Sequence, residues 1–534
     1  MGGKAGMDTT NKDSDQRAAT SPPDQEWLTG LPLVLATLGV SLAAFMNVLD
    51  STIAVVALPT ISGSLSATPS QGSWVLTIYG VCLAASLPLA GWVGARFGQV
   101  RAFVWSIAVF TAFSWLCAAA QTFDQLLVAR AFQGLSGGML LPLSQSLVMR
   151  LYPPEKQGMA LGFWGLSAGV APVAGPVLGG YITDNFGWPW IFYINIPVGI
   201  VSIGICLALL RSRETSTVKV PVDLVGLVLM LVGVICLQLG LDRGHELDWF
   251  ASREVQALFF VGATSLIFFI IWELDEAHPI VDLSLFRQRN FALGALMTAM
   301  FYCAFVVSSV IYPLWMQTVL GYTPGGSGWV MATTSLFPLL SMGLIGQWLR
   351  NQNPRMIIIL GCLMMAPVIM AHGLMTIQVS ATYLTSIRFL IGFAMPFLWI
   401  PLMMVTLGGV PPEKLATATG ISNFMRMLAS SLATAGGITL WDDRSVVHRA
   451  DIIAGLSEPS IERQHMMSML GESSGDPSAG LMLLDTLVTQ QARTMAQQDV
   501  YTVGAGIIVL MIFMVGMLPR RLPSSAPENV PTHD

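Results

Sequence analysis

Long apolar runs constrain this chain more than any other feature of its sequence. A bilayer core requires about 20 mostly apolar residues per helix, and lipid offers no partner for unpaired backbone groups, so apolar runs of that length are expected to be helical. Only 11% of the residues are charged, against roughly 25% in soluble domains. We therefore predict an all-α polytopic membrane protein with 14 transmembrane helices. The predicted spans lie near residues 31–58, 73–95, 101–120, 125–149, 158–182, 190–210, 223–241, 254–273, 291–318, 325–348, 356–377, 382–408, 413–440 and 501–518.

The placement of the basic residues predicts the orientation of these spans. Most of the 26 Lys and Arg residues fall in alternate connections between the apolar runs, and such residues collect on the cytoplasmic side. Both termini are therefore predicted to be cytoplasmic, with residues 1–30 as a disordered tail and 520–534 as a second tail. The long segment 441–499 is then expected on the outer side.

Two short patterns recur along the chain at one shared spacing. Arg130–Gly134 is followed 258 residues later by Arg388–Gly392, and Pro153–Lys156 by Pro411–Lys414 at the same spacing. Two recurrences at one offset indicate an internal duplication. We predict two six-helix halves facing each other, with two inserted helices between them. The predicted boundaries are 31–211 for the first half, 212–289 for the inserted pair and 290–519 for the second half.

Asp50 is a carboxylate placed well inside the first predicted span. An acidic residue at that depth costs about 2.5–3.5 kcal/mol on insertion scales, so it marks a functional site by default. Because a low dielectric disfavours the charged form, Asp50 could bind a proton in one conformation and release it in another. The alternative is a structural carboxylate paired with a helix terminus near Pro59.

Arg130, in the fourth span, keeps its charge and so cannot itself carry a proton. It could tune a nearby carboxylate, or it could hold a structural polar network with Gln133. The duplication places Arg388 at the position of Arg130, but position 308, which corresponds to Asp50, is a serine. The proton chemistry is therefore predicted to belong to the first half.

Other residues inside the spans allow more than one interpretation. The glycines of the fifth span recur at helical spacing, which permits close packing either as a static interface or as a moving gate. His372 is a lone histidine in an apolar run, and either a structural role or a proton relay is open to it. Candidates for a substrate cavity are Asn47, Gln133, Trp164, Gln317, Asn423 and Arg426.

The sequence offers no site for covalent chemistry. It contains no glycine-rich phosphate loop ending in Lys and Ser or Thr, and the six cysteines form no CxxC pair. We predict that the chain is not an enzyme, uses no cofactor and holds no metal. An ion gradient remains as the source of energy for transport.

Four motifs resemble those of one known family. Gly91–Arg101 resembles its signature loop, with Ala95 where Asp is usual; Arg130–Gly134 resembles its proton-transfer motif and Ala174–Gly180 its antiporter motif. Leu49–Pro59 resembles the motif of the fourteen-span drug:proton antiporter branch of the major facilitator superfamily. On these motifs the chain is identified as a member of that branch. The resemblance implies conformational roles for Gly91, Arg96, Gly98, Arg101, Gly175, Pro176, Gly179 and Gly180, and proton coupling for Asp50 and Arg130.

Within that branch, the similarity to EmrB-type inner-membrane subunits of tripartite multidrug efflux pumps covers nearly the whole chain. It includes the stretches Asp242–Phe250, Pro279–Phe286 and Ser422–Arg426. The resemblance implies a multi-pass inner-membrane antiporter that exports amphipathic drugs in exchange for protons. It also implies a periplasmic adaptor and, through it, an outer-membrane channel as partners.

Two questions stay open on the sequence alone. The cargo could instead be one natural metabolite, siderophore or lipid, and a non-transporting membrane receptor or scaffold is the alternative of another class. In the segment 441–499, an apolar stripe of Leu484, Leu487 and Val488 could contact the adaptor or belong to a folded cap. The expected partners are small amphipathic molecules, protons and membrane lipid, and no nucleic acid.

Overall fold

The protein is described here by a computed structural model that covers residues 28–67, 74–153, 156–217, 223–244, 247–276, 281–338, 352–457 and 477–518, with a few isolated positions between them. The expected terminal tails therefore lie almost wholly outside the described residues. Within those ranges the regular structure is helical. The helices are α1 (Gly30–Ser64), α2 (Trp74–Ser86), α3 (Leu89–Phe97), α4 (Gln99–Ala118), α5 (Phe123–Leu151), α6 (Gln157–Phe186), α7 (Trp190–Tyr193), α8 (Asn195–Leu210), α9 (Leu224–Gly244), α10 (Arg253–Asp275), α11 (Arg289–Thr318), α12 (Pro324–Ala332), α13 (Pro354–His372), α14 (Ala381–Leu407), α15 (Leu415–Ser457) and α16 (Pro477–Val515).

Many of these helices are suited to cross a bilayer. Among the described residues, ten helices are long and apolar enough to do so, and α2 with α3, bent by 57°, makes an eleventh if the two form one span. The tenth predicted run, 325–348, is described only in part. The chain is thus a multi-pass membrane protein, and the count of 14 spans stays a prediction.

The helices pack as two groups with a pair beside them. In the first group, α1 packs along α6 and α8, and α5 packs between α2 and α4. In the second group, α11 contacts α14, α15 and α16, while α13 packs on α14 and α16. Helices α9 and α10 pack on each other, and α9 also reaches α2 and α15.

The two groups contact each other through α15 with α3 and α5, and through α12 and α14 with α6. One of these contacts lies at the end of the bundle that carries Arg96, Arg101 and Lys414, which we call the basic end. Here α3 meets the start of α15. The contact is so close that a Cβ on Gly91 would lie 2.5 Å from the Cα of Thr417. Only a residue without a side chain fits between these two backbones, so α3 and α15 are in direct contact at this end.

The turn between α3 and α4 is held by an acidic residue that the sequence did not single out. Gly98 turns the chain with a φ of +91°, a conformation that glycine adopts without strain. The carboxylate of Glu214 accepts hydrogen bonds from the backbone N–H groups of Val100 and Arg101, each at 2.9 Å. A carboxylate is favourable at a helix N-terminus, so Glu214 stabilises the start of α4.

The segment expected between the last two spans is largely helical. Residues 441–457 continue α15 and residues 477–499 begin α16; we call these two ranges the outer hairpin. With 43 and 39 residues, each helix is about 60 Å long, roughly twice the bilayer core. Inside the hairpin, Asp499 accepts from Arg444 and from His448, the latter at 2.8 Å.

Candidate functional site

Asp50 lies at the centre of a buried polar network in the first group of helices. Its carboxylate accepts hydrogen bonds from Arg130 Nη1 at 2.5 Å, Gln133 Nε2 at 2.9 Å and Asn195 Nδ2 at 2.7 Å. These donors come from α5 and α8, and all four side chains are at most 1% exposed. A buried charge of this kind is stable only when paired and hydrogen-bonded, and Asp50 meets both conditions.

The guanidinium of Arg130 makes several contacts at once. Besides Asp50, its Nη1 donates to Gln133 Oε1 at 2.9 Å and its Nε donates to the carbonyl of Val75 at 3.3 Å. The plane of the group lies over the Tyr79 ring, 4.1 Å from the centroid, which adds a cation–π contact. Arg130 therefore both neutralises Asp50 and organises the polar groups around it.

The network reaches a cavity through two further side chains. Tyr79 donates its hydroxyl hydrogen to Asn47 Oδ1 at 2.7 Å, and both residues line a cavity of about 290 Å³. The cavity wall is otherwise mostly apolar, as is usual for small-molecule sites. Its lining residues are Asn47, Val48, Ser51, Val55, Leu76, Tyr79, Gly80, Leu83, Leu141 and Met427.

A larger cavity, of about 400 Å³, lies on the pair α9 and α10. Its lining contains no residue of α1, the helix that carries Asp50, whereas the smaller cavity is lined by Asn47 and Ser51 of α1 and by Tyr79, which contacts Arg130. The cavity beside Asp50 is therefore the better candidate for a transport site, because cargo there would lie next to the buried charge pair.

Three members of this network were missed by reasoning from sequence. Asn195 binds Asp50 directly and also donates to Ser114 Oγ at 3.0 Å, while Tyr79 connects the network to the cavity. Asn195 is the one amide side chain in the apolar run 190–210, and that placement could have indicated it. Tyr79 and Ser114 are uncharged residues of kinds common in membrane helices, and the sequence does not distinguish them.

The predicted cavity residues fall in several places. Asn47 lines the cavity and Gln133 binds Asp50. Trp164 instead packs between α6 and α5, where its indole N–H donates to Ser144 Oγ at 3.0 Å. Gln317 lies near the end of α11, and its amide donates to Ser327 Oγ at 2.9 Å. Neither Trp164 nor Gln317 lines the cavity.

Asn423 and Arg426 lie where the two groups of helices meet. Asn423 Nδ2 donates to Gln145 Oε1 on α5 at 2.9 Å, and Arg426 Nη2 donates to Asn423 Oδ1 at the same distance. The guanidinium of Arg426 also lies 4.7 Å from the centroid of the Tyr302 ring. Since Met427 lines the cavity, this bridge borders the cavity from the second group.

The glycines of the antiporter-like motif face the helix that carries Asp50. A Cβ on Gly179 would lie 2.9 Å from the carbonyl oxygen of Ile53, and one on Gly175 would clash with the Thr52 side chain. Helices α1 and α6 thus pack almost backbone to backbone, as small residues allow. The side chain of Pro176 lies outside the described part of the chain, and a role for this contact as a moving gate stays a prediction.

Replacing Arg130 by Lys tests whether charge alone is sufficient at this position. Lysine is a point charge and cannot reproduce the planar group that bonds Asp50, Gln133 and the Val75 carbonyl together. We expect Arg130→Lys to lower transport by roughly tenfold or more at normal expression, a loss of about 1.4 kcal/mol. The matched control is Arg211→Lys, because the Arg211 side chain is exposed and should tolerate the change. If Arg130→Lys transports as well as the wild-type protein, a positive charge is sufficient at this position and the planar guanidinium is not required.

Comparison with known proteins identifies relatives that match over most of the chain. A model of the Major Facilitator Superfamily matches residues 40–434. The chain is 39% identical over 493 residues to the multidrug export protein EmrB of Escherichia coli strain K12, covering 92% of this chain and 96% of that protein. It is 38% identical over 491 residues to the fatty acid resistance protein FarB of Neisseria gonorrhoeae, covering 91% and 96%.

A solved structure has a similar fold at low sequence identity. The human organic anion transporter MFSD10 (TETRAN) aligns with a TM-score of 0.56 and 14% identity, covering 91% of this chain and 100% of that one. At this identity the likeness concerns the fold alone.

Proposed function

Since this chain belongs to the major facilitator superfamily and is a multi-pass membrane transporter similar to multidrug export proteins, we propose that it exports amphipathic compounds in exchange for protons. Asp50 and Arg130 are the proton-coupling pair in this proposal. The observation that carries it is the buried carboxylate of Asp50, which lies beside a mostly apolar cavity. Arg130, which binds Asp50, also contacts Tyr79 in the wall of that cavity.

The proton acts on the cavity through the charge pair. While Asp50 is ionised, it holds Arg130, and Arg130 in turn lies over the ring of Tyr79 in the cavity wall. When Asp50 binds a proton, this attraction is lost and Arg130 can take other partners. Tyr79 and Asn47 then lose their fixed positions, so the affinity of the cavity for cargo depends on the protonation of Asp50.

The energy of one proton is sufficient for useful export. Entry down roughly 100 mV yields about 2.3 kcal/mol, and a pH difference of one unit adds about 1.4 kcal/mol. At about 1.4 kcal/mol per tenfold, one proton can hold a cargo gradient of several hundredfold.

Transport also requires two conformations of the bundle. We assign the rocking bodies to residues 31–211 and 290–519, with 212–289 as the inserted pair. The bundle is closed where α3 meets α15 at the basic end, which we take as the cytoplasmic face of the inner membrane. The other conformation would open this end and expose the cavity to the cytoplasm.

Flux through proteoliposomes that contain only this protein tests the proposal. A fluorescent amphipathic dye such as ethidium serves as the probe, and a pH gradient is imposed in either direction. We expect accumulation that follows the direction of the gradient and disappears when a protonophore is added. Dye transport that does not depend on the pH gradient would exclude proton coupling. The absence of any dye transport would favour a receptor or scaffold.

A second cargo is suggested by the gonococcal relative, which is named for fatty acid resistance. A dedicated exporter of a lipid would transport dodecanoate but not ethidium in the same liposomes. A multidrug exporter would carry both, or ethidium alone.

We further propose that a periplasmic adaptor binds the outer hairpin and connects the transporter to an outer-membrane channel. The support is the similarity to EmrB-type proteins together with exposed apolar side chains on both hairpin helices. Val446 on α15 is 70% exposed and Met482 on α16 is 75% exposed. Within the stripe Leu484, Leu487 and Val488, by contrast, Val488 is buried and contributes to packing within the protein.

Two substitutions separate adaptor binding from hairpin folding. We expect Val446→Gln with Met482→Gln to weaken co-purification of a co-expressed adaptor by roughly tenfold, because burying an apolar side chain of this size contributes about 1.5–3 kcal/mol. Transport by the isolated protein in liposomes should not change. The comparison variant Val488→Ser removes a buried contact and should lower thermal stability instead. Normal adaptor binding together with reduced liposome transport in the double variant would show that the hairpin is a cap over the cavity.

A further inference from the structure

Arg388 is the counterpart of Arg130 in the second group, but it faces a hydroxyl where Arg130 faces a carboxylate. Arg388 is 1% exposed, and its Nε donates to Thr334 Oγ1 at 3.1 Å. Its Nη1 lies 3.4 Å from Ser308 Oγ. The duplication places Ser308 where the first group has Asp50, so the cation is retained and its acid is replaced.

No carboxylate among the described residues pairs with Arg388. The ionisable side chains that interact with its charge are Tyr312, Tyr501 and His372, and none of these is normally an anion. The guanidinium lies 5.2 Å from the Tyr312 ring centroid, and the His372 ring packs on the rings of both tyrosines. A buried cation without an anion is unfavourable, so this cluster differs in kind from Arg130, whose charge is paired with the Asp50 carboxylate.

Several polar groups beside this cluster are buried with a poor partner or with none in the described part of the chain. The hydroxyl of Tyr501 interacts with the amide of Gln497, one helical turn earlier on α16, but without good hydrogen-bond geometry, and His372 Nε2 has no hydrogen-bond partner. His372 Nδ1 interacts with the carbonyl of Val368 at 2.9 Å. Buried polar groups are nearly always hydrogen-bonded, and exceptions often indicate an ion or a solvent molecule. The guanidinium, the hydroxyl and the amide N–H are all donors suited to an anion.

We propose that Arg388, Ser308 and Tyr501 form a binding site for a monovalent anion. The anion takes the part in the second group that the Asp50 carboxylate plays in the first. Its source is either free chloride or the carboxylate head group of an amphipathic cargo. The chloride form is independent of the function proposed above, whereas the cargo form rests on it.

Anion binding is measured by thermal unfolding of the full chain in lipid nanodiscs, in chloride and in bulky, strongly hydrated gluconate at equal ionic strength. A ligand that binds only the folded state raises its stability. We expect the wild-type protein to unfold about 2 °C or more higher in chloride if the ion is free chloride. Ser308→Asp supplies an internal carboxylate, so it should be stabilised in gluconate and show no response to chloride.

A second arm identifies the source of the anion. Dodecanoate and the neutral dodecanol are added separately to wild-type protein in gluconate. Stabilisation by dodecanoate but not by dodecanol, with no response to chloride, would show that the site takes the carboxylate of cargo. Ser308→Asp should abolish that response as well.

The control is Ser309→Asp, which places a carboxylate one position further along α11. Ser309 is half-buried and donates to the carbonyl of Phe305, whereas Arg388 donates to Thr334 and Ser308. We expect this variant to be destabilised in every buffer. The proposal is overturned if wild-type protein responds to neither anion, or if Ser308→Asp is destabilised as strongly as Ser309→Asp. Neither measurement uses a proton gradient, so failure here is distinct from failure of proton coupling.

Discussion

Asp50→Asn is expected to reduce gradient-driven export to the level of protein-free liposomes, while cargo still binds with an affinity that no longer changes with pH. Asparagine keeps the size of the side chain and can still accept from Gln133 and Asn195, but it cannot take up or release a proton. The measurement is dye accumulation under an imposed pH gradient, together with equilibrium binding of the same dye. Full gradient-driven export by this variant would refute the assignment of Asp50 as the proton site.

Stability must be separated from coupling, because Asp50→Asn leaves Arg130 buried without its anion. Breaking one side of a buried ion pair costs about 3–5 kcal/mol, whereas replacing both partners is often nearly neutral. The double variant Asp50→Asn with Arg130→Leu should therefore regain much of the lost thermal stability without regaining transport. Asp50→Glu retains a carboxylate and should retain part of the coupled transport. Transport that returned together with stability would show that the pair is only structural.

Gly91→Val is expected to lower transport by more than tenfold by preventing closure of the basic end. The added side chain would collide with the backbone of Thr417, where α3 and α15 touch. Backbone cannot move aside as a flexible side chain can, so the variant should favour the conformation that is open at this end. Opening is measured by labelling Asn423→Cys, in a background without native cysteines, with a membrane-impermeant maleimide. Asn423 is fully buried against Gln145 in the closed state, so labelling should rise in Gly91→Val.

Gly204→Val is the matched control for this experiment. A Cβ on Gly204 would meet no atom within 4 Å, so the same change in size should alter neither transport nor labelling. Unchanged labelling and normal flux in Gly91→Val would show that the contact between α3 and α15 does not limit the transport cycle.

The residues of the coupling pair were predictable because their chemistry is conspicuous in an apolar chain. Asp50 and Arg130 each place a charge inside a predicted span, and such placement is costly enough to indicate function. The sequence allowed Arg130 either to tune a carboxylate or to hold a network with Gln133. The structure shows that one guanidinium contacts both Asp50 and Gln133. Asn195 was missed because a neutral amide costs much less than a charge to place inside a membrane span. Its presence there therefore does not by itself indicate a functional site.

The sequence by itself determined that this protein lies in a lipid bilayer, that it is all-helical and to which family it belongs. These follow from apolar runs, local motifs and an internal spacing, which are properties of neighbouring residues and need no three-dimensional contacts. The tertiary structure decided which side chains meet. Asn195 reaches Asp50 across 145 positions of the chain, Asn423 bonds Gln145 across 278, and Arg388 points at Ser308 rather than at an acid. Such contacts depend on how helices rotate and cross, which packing sets over the whole bundle and which no local pattern in the chain encodes.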